Sequence, residues 1–135
     1  MDTQVISLTT PGTHIEAPAV AVKLAAITND AFARVRDERR ERFIPLATLP
    51  LCDPAASAAE FLRAFDTLHL PGAMLFSNVN GTGLDDPQFW PLYEAANDRD
   101  AVMMIHPTYP VGVVALREYW LMLLSAFLSY TTLAA

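Results

Sequence analysis

The sequence predicts an α/β fold in which parallel strands alternate with helices. Short runs of apolar residues alternate with longer segments of helical periodicity four times along the 135 residues. The short runs also lack the alternation of polar and apolar residues that a half-solvated sheet shows. We therefore expect parallel strands that are covered on both faces.

The first half of the pattern contains two strand–helix units. Residues 3–10 form a short β-branched run that ends at Pro11-Gly12, a turn signal. Residues 42–49 form a second strand candidate, weakened by Pro45, and Asp53 and Pro54 then suit the cap and first turn of a helix. Between the two strands, residues 18–41 read as a helix whose apolar residues recur at helical spacing: Val20, Leu24, Ile27, Ala31 and Val35.

The second half repeats the pattern. Residues 72–79 form an uninterrupted apolar strand, and a polar loop leads to a helix opened by Asp86 and Pro87. Residues 101–106 form the fourth strand and residues 111–128 the fourth helix. Four such units with right-handed crossovers fit either a small open sheet or half of a (β/α)8 barrel.

Composition excludes several classes of function. With 53% hydrophobic residues, the chain has room for one domain, residues 1–135, with a packed core. Its net charge of −6 argues against a nucleic-acid partner. The lone cysteine, Cys52, fits a reducing cytoplasm, and the first residues do not resemble a signal peptide. The uncharged residues 119–135 are too short and too polar for a membrane span, so we expect a buried helix there.

Ligands in either architecture bind at the C-terminal ends of the strands. His106 ends the apolar run "VMMIH", and it is either a metal ligand or a structural histidine that donates to a backbone carbonyl. A metal site needs three or four donors. His69 precedes a strand and lies at the opposite end, and His14 lies in a loop that we expect to be mobile. The other residues expected at these strand ends are Thr9, Thr10, Pro50, Ser77, Asn78 and Asn80.

Other catalytic motifs are missing from the sequence. It contains neither a phosphate-binding glycine loop nor a G-x-S-x-G nucleophile turn. Cys52 has no evident base partner and is expected to be a passive small hydrophobe, and Asp85 and Asp86 suit helix capping. The aromatic residues at helical spacing in the third helix are expected in the core: Phe89, Trp90 and Tyr93.

Four stretches in this order resemble the amidohydrolase-related family: "VISLTTPG", "NDAFARVRDERRERFIPLATLPLCDP", "AAEFLRAFDTLHLPGAMLFSNVNGTGLDDPQFWPLYEAAN" and "VMMIHPTYP". The similar branch contains aminocarboxymuconate-semialdehyde, resorcylate and carboxyvanillate decarboxylases, and the likeness covers residues 3–135. It implies a (β/α)8 barrel, of which this chain supplies the second to fifth strands. It also implies a divalent metal, usually zinc, at the C-terminal face, with His106 as the ligand on the fifth strand.

The same resemblance implies an incomplete site. The family's His-x-His and its later histidine and aspartate match nothing in this chain, so we expect a fragment of a metal-dependent decarboxylase or hydrolase that is inactive alone. Its substrate would be a small carboxylated aromatic or muconate-like molecule. Asn78 and Asn80 are candidate substrate contacts, with a turn role for "NVNG" as the alternative. The competing hypothesis is a non-catalytic α/β domain that forms a homodimer, associates through unpaired edge strands, or docks on a full-length paralogue.

Overall fold

Four parallel strands run in sequence order across the described part of the chain. The computed structural model describes residues 2–108, so the helix expected at 111–128 lies outside the described residues. β1 pairs with β2 and β3 pairs with β6, all parallel, and a bridge between Ala47 and Ala73 joins the two pairs. The strands are β1 (Gln4–Ile6), β2 (Phe43–Pro45), β3 (Gly72–Phe76), β4 (Asn78–Val79), β5 (Thr82–Gly83) and β6 (Val102–His106).

The helices form a single layer beside these strands. α1 contacts α2, and α2 contacts α3. An open doubly wound sheet would place its first strand inside the sheet and its helices on both faces. The described residues instead follow the arc of a (β/α)8 barrel, which confirms that choice between the two predicted architectures. The helices are α1 (Pro18–Glu38), α2 (Pro54–Leu62), which a π-helical turn at Arg63–Thr67 extends, and α3 (Trp90–Asn97), which follows a 3₁₀ turn at Pro87–Phe89.

Pro45 is tolerated in β2 because of where its nitrogen faces. The amide of Leu46 donates to Ile6 in β1, and the amide of Ala47 donates to Gly72 in β3. Since successive amides of a strand point to opposite sides, the nitrogen of Pro45 faces the β3 side. β3 begins only at Gly72, level with Ala47, so a proline at position 45 forfeits no ladder hydrogen bond.

Both predicted helix starts are confirmed. The carboxylate of Asp53 accepts from the amide of Ala56 at 3.0 Å, and that of Asp86 accepts from the amide of Gln88 at 3.0 Å. Each carboxylate satisfies an amide that the first helical turn leaves unpaired.

The face that α1 buries differs from its most apolar stripe. Val20, Leu24 and Ile27 are 44%, 40% and 64% exposed. The buried residues lie one or two positions further along the helix and are small or polar: Ala21, Ala25, Asn29 and Ala33. The apolar repeat therefore predicted the helix correctly but not the side that packs on the strands.

The core lies between the strands and the helix layer, with Phe61, Met74 and Phe89 among its fully buried side chains. Trp90 was expected in the core and is 56% exposed, because it begins α3 on the solvent side. The predicted strand 72–79 ends at Phe76, and the chain then turns into the small antiparallel hairpin β4–β5. Among residues 2–108, no helix is long and apolar enough to cross a membrane.

Candidate functional site

His106 is fixed at the C-terminal end of β6 by its backbone. Its carbonyl accepts from the amide of Ser77 at 2.9 Å, which continues the β3–β6 ladder. The Ser77 hydroxyl in turn accepts from the amide of Thr108 at 3.0 Å. The half-buried imidazole therefore projects from the end of β6, where the hydrogen bonds of Ser77 with His106 and Thr108 hold the backbone in place.

The hydrogen bonds of the His106 ring define which nitrogen carries the proton. Nδ1 lies 2.7 Å from the carbonyl oxygen of Pro107. Because a carbonyl only accepts, Nδ1 must be the protonated nitrogen, and Nε2 then holds a lone pair. Nε2 lies 3.3 Å from the hydroxyl of Thr9, in the loop that follows β1. Metal-binding histidines have their second nitrogen oriented by a backbone carbonyl in this way, and a structural histidine makes the same contact.

His14 lies at the same end of the strands and is 4% exposed. Its ring centroid is 4.7 Å from that of Phe76, the last residue of β3, and the Phe76 ring meets His106 edge-on at 6.2 Å. Within the described residues, Nδ1 of His14 is buried without a hydrogen-bond partner. Burial lowers the pKa of this imidazole, so it is neutral at pH 7.

The loop that carries His14 is tied to its neighbours, in contrast to the mobile loop expected from the sequence. The Thr13 hydroxyl donates to the carbonyl of Leu49 at 3.1 Å, and the Asn80 amide donates to the carbonyl of His14 at 3.0 Å. Gly12, at φ 73°, allows close contact, since a Cβ there would lie 2.5 Å from Cε2 of Phe76 and 2.9 Å from Nδ1 of His14. His14 is thus held in place by packing and by hydrogen bonds on both sides.

Asn78 and Asn80 take part in the β4–β5 hairpin. The Asn78 side-chain oxygen accepts from the amide of Gly81 at 3.0 Å, and Asn80 adopts a positive φ of 52°. Both are roles that asparagine fills well in turns. Their assignment as substrate contacts stays a prediction.

Asn29 forms a buried hydrogen-bond network beside the end of β2, which sequence reasoning missed. Its carboxamide accepts from the amide of Thr48 and donates to the carbonyl of Thr48, both at 2.9 Å, as a neighbouring strand would. It also donates to Glu60 at 2.7 Å, and Arg63 binds Glu60 and Asp30 at 2.8 Å each. These two carboxylates raise the pKa of the Arg63 guanidinium, Glu60 contributing most. The sequence signal for this network was a polar residue, Asn29, at helical spacing from the alanines that α1 buries.

The remaining candidates lie away from His106 or are chemically passive. His69 is exposed and lines a groove with Arg36, Arg40 and Phe43 near the N-terminal ends of the strands, as predicted. Burial raises the pKa of the Cys52 thiol, which disfavours a reactive thiolate. Among residues 2–108, no three histidine, cysteine, aspartate or glutamate side chains cluster in a way that could hold a metal ion.

An arc of parallel β/α units with a histidine at a strand's carboxyl end is the architecture of part of a (β/α)8 barrel. The sequence model of the amidohydrolase family matches residues 6–131, and the chain belongs to this family. It is 39% identical over 117 residues to 2-amino-3-carboxymuconate-6-semialdehyde decarboxylase of Dictyostelium discoideum, covering 87% of this chain and 33% of the relative. The chain thus spans about a third of the length of the curated relatives it matches.

Solved structures show the same relationship. A 5-carboxyvanillate decarboxylase from Novosphingobium aromaticivorans, in complex with manganese and 4-hydroxy-3-methoxy-5-nitrobenzoic acid, superposes with a TM-score of 0.84 at 30% identity, covering 90% of this chain and 36% of that one. A dihydroxybenzoic acid decarboxylase from Polaromonas, with manganese and the inhibitor 2-nitroresorcinol, gives a TM-score of 0.78 at 28% identity, covering 90% and 40%. The fold class predicted from the sequence, part of a (β/α)8 barrel, is confirmed.

Proposed function

We propose that this chain forms one arc of a divalent-metal-dependent decarboxylase that acts on a small carboxylated aromatic or muconate-like substrate. In this proposal, His106 supplies one metal ligand. The observation that carries it is the ring geometry: the carbonyl of Pro107 accepts a hydrogen bond from Nδ1–H, and Nε2 keeps its lone pair at the C-terminal face. The decarboxylases among the relatives favour decarboxylation over hydrolysis.

The metal site would be completed by ligands from elsewhere in the barrel. One imidazole does not hold a divalent ion, and residues 2–108 offer no cluster of three donors. We therefore infer that the other ligands come from outside this range. Imidazole binds both zinc and manganese; the sequence resemblance implies zinc, and the two solved relatives described above contain manganese.

The described residues have three tasks in this site. β6 and its ladder to Ser77 hold His106 at the rim, and the ring of Phe76 supplies an apolar wall beside it. The loop after β1 brings the Thr9 hydroxyl to Nε2. When bound, the metal would supply the positive charge that holds and polarises a substrate oxygen.

Metal binding at His106 is tested by NMR of the histidine rings in the chimera described in the next paragraph, because residues 2–108 alone lack the other metal ligands. We expect added Mn²⁺ to broaden the ring signals of His106 before those of His69, and Zn²⁺ to compete for the same position. His106→Asn should abolish the effect, and His69→Asn, the same change at an exposed position near the opposite strand ends, should preserve it. Equal broadening of His69 and His106 would contradict the proposal.

The reaction is tested in a chimera. Residues 3–108 replace the corresponding part of the Novosphingobium decarboxylase, with which this chain superposes. We expect Mn²⁺-dependent CO₂ release from 5-carboxyvanillate by the chimera and by its His69→Asn variant, and none by its His106→Asn variant. CO₂ release by a folded His106→Asn chimera would overturn the role of His106.

A second candidate is the non-catalytic domain that associates with itself. Large apolar side chains exposed on β1, β2 and α1 favour it, including Val5, Ile44 and Ile27. The experiment on α1 described in the Discussion tests this surface. The lone cysteine remains the basis for proposing a cytoplasmic location.

A further inference from the structure

Two histidine rings flank Phe76 at the C-terminal ends of the strands. The ring of His14 lies 4.7 Å from that of Phe76 and the ring of His106 lies 6.2 Å from it, measured between centroids. His106 is oriented by the carbonyl of Pro107. His14 has no such acceptor at Nδ1, and this difference determines where its proton resides.

A neutral imidazole carries one proton, and burial lowers the pKa of His14 so that the ring is neutral at pH 7. Nδ1 is enclosed beside Gly12 and Phe76 with no partner in the described residues. A buried N–H without an acceptor is rarer and more costly than a buried lone pair. The proton therefore resides on Nε2, and His14 is a hydrogen-bond donor through that nitrogen.

We propose that His14 donates its Nε2–H to an oxygen substituent, phenolate or carboxylate, of an aromatic ligand bound beside Phe76. The two rings then have opposite tautomers with complementary tasks: His106 presents a lone pair to a cation, and His14 presents a donor to an anionic oxygen. The tautomer of His14 follows from its surroundings alone, whereas the identity of the ligand rests on the proposed function.

The loop around His14 is built to keep this donor in place. Asn80 binds the carbonyl of His14, Thr13 binds that of Leu49, and Gly12 permits contact with Phe76. A donor held rigidly loses little conformational entropy when a ligand arrives. Asn80 acts here as a positioning residue, through the backbone of His14.

The tautomers are read from ¹⁵N shifts and long-range ¹H–¹⁵N correlations of the histidine rings in the full chain. We expect the proton on Nε2 in His14 and on Nδ1 in His106. A proton on Nδ1 of His14, or a charged His14 ring at pH 7, overturns the assignment. This measurement needs neither metal nor ligand, so it fails or succeeds independently of the proposed function.

Ligand binding is tested in the same chimera, whose metal site is complete, with the two probes seen in the solved relatives, 4-hydroxy-3-methoxy-5-nitrobenzoic acid and 2-nitroresorcinol, in the presence of Mn²⁺. The amide nitrogen of glutamine reaches the place of Nε2, and that of asparagine the place of Nδ1. His14→Gln should therefore keep the affinity within about threefold, and His14→Asn and His14→Phe should each lose about tenfold. Equal loss in all three variants, or no binding by the chimera that retains His14, overturns the ligand role.

Two further measurements separate the possible causes of a loss of ligand affinity. The Mn²⁺ broadening of His106 should be unchanged in every His14 variant, and its disappearance would mean that His14 acts on the metal site and not on the ligand. 2-Nitroresorcinol has no carboxylate. Weaker binding of both probes by His14→Phe identifies an oxygen that both carry, on the phenol or the nitro group, as the partner of His14, and weaker binding of the nitrobenzoate alone identifies the carboxylate.

Discussion

Asn29 and His14 are both buried polar side chains near the C-terminal ends of strands, yet only one has its hydrogen bonds satisfied. Asn29 is fully buried and its carboxamide binds the amide and carbonyl of Thr48 and the carboxylate of Glu60. His14 is 4% exposed, and Nδ1 has no partner among the described residues. A satisfied buried group stabilises the fold, whereas an unsatisfied one costs stability and points to another role. The comparison separates a structural residue from a functional one at the same end of the barrel arc.

The largest effect is expected from Asn29→Leu. The substitution leaves the buried amide and carbonyl of Thr48 without their partner and removes one of the two donors to Oε1 of Glu60, where Arg63 remains. We expect the free energy of unfolding to fall by about 3 kcal/mol. Urea denaturation of the full chain, followed by circular dichroism, measures it.

Asp30→Asn is the matched control for Asn29. Asp30 is the next residue and pairs with Arg63 at 2.8 Å, but its side chain is 49% exposed. Exposed ion pairs contribute little, so a loss of about 0.5 kcal/mol or less is expected. Similar losses in the two variants would mean that the network of Asn29 does not carry the stability.

A smaller effect should follow from acidification, through His14. Burial lowers the pKa of His14 below its ordinary value of 6.5 in the folded chain. The unfolded chain then binds a proton more readily, so stability is lost as the pH falls below about 6.5 toward the folded pKa, at up to about 1.4 kcal/mol per pH unit. His14→Phe should remove this contribution and keep the contact with Phe76.

The acid experiment compares the free energy of unfolding of the two proteins between pH 7.5 and about 5.5, without metal. The other two histidines, His69 and His106, are present in both proteins, so the difference between the proteins reports on His14. Parallel pH curves for the two proteins would show that His14 is not a buried neutral imidazole. His14→Phe should change stability at pH 7.5 by less than Asn29→Leu does.

Sequence reasoning predicted the α/β units, the caps at Asp53 and Asp86, and the place of His106 because these depend on local signals. Hydrophobic spacing marks an element and a strand end marks a functional face. It assigned no structural role to Asn29 and expected the loop of His14 to be mobile, since both outcomes depend on contacts between segments far apart in the chain, Thr48 and Glu60 for one and Phe76 and Asn80 for the other. The buried face of α1 escaped it for the same reason: close packing on the strands selects small residues such as Ala21 and Ala25, whatever the most apolar stripe is.

The exposed apolar stripe of α1, formed by Val20, Leu24 and Ile27, provides a further test. Its side chains are apolar and exposed to solvent, whereas His14 is polar and buried. Leu24 and Ile27 are 40% and 64% exposed, so replacing both with lysine removes little buried surface and should change the free energy of unfolding by about 0.5 kcal/mol or less. If a second copy of the chain covers this stripe, the charges should shift the sedimenting species to monomer, while Trp90→Lys on α3 leaves the association unchanged. In dilute, monomeric protein, a loss of more than about 1 kcal/mol would instead place the stripe in the packed interior of the folded chain, since that much stability is lost where buried apolar contacts are removed. The change in the free energy of unfolding therefore decides whether one face of α1 is packed within the folded chain or two.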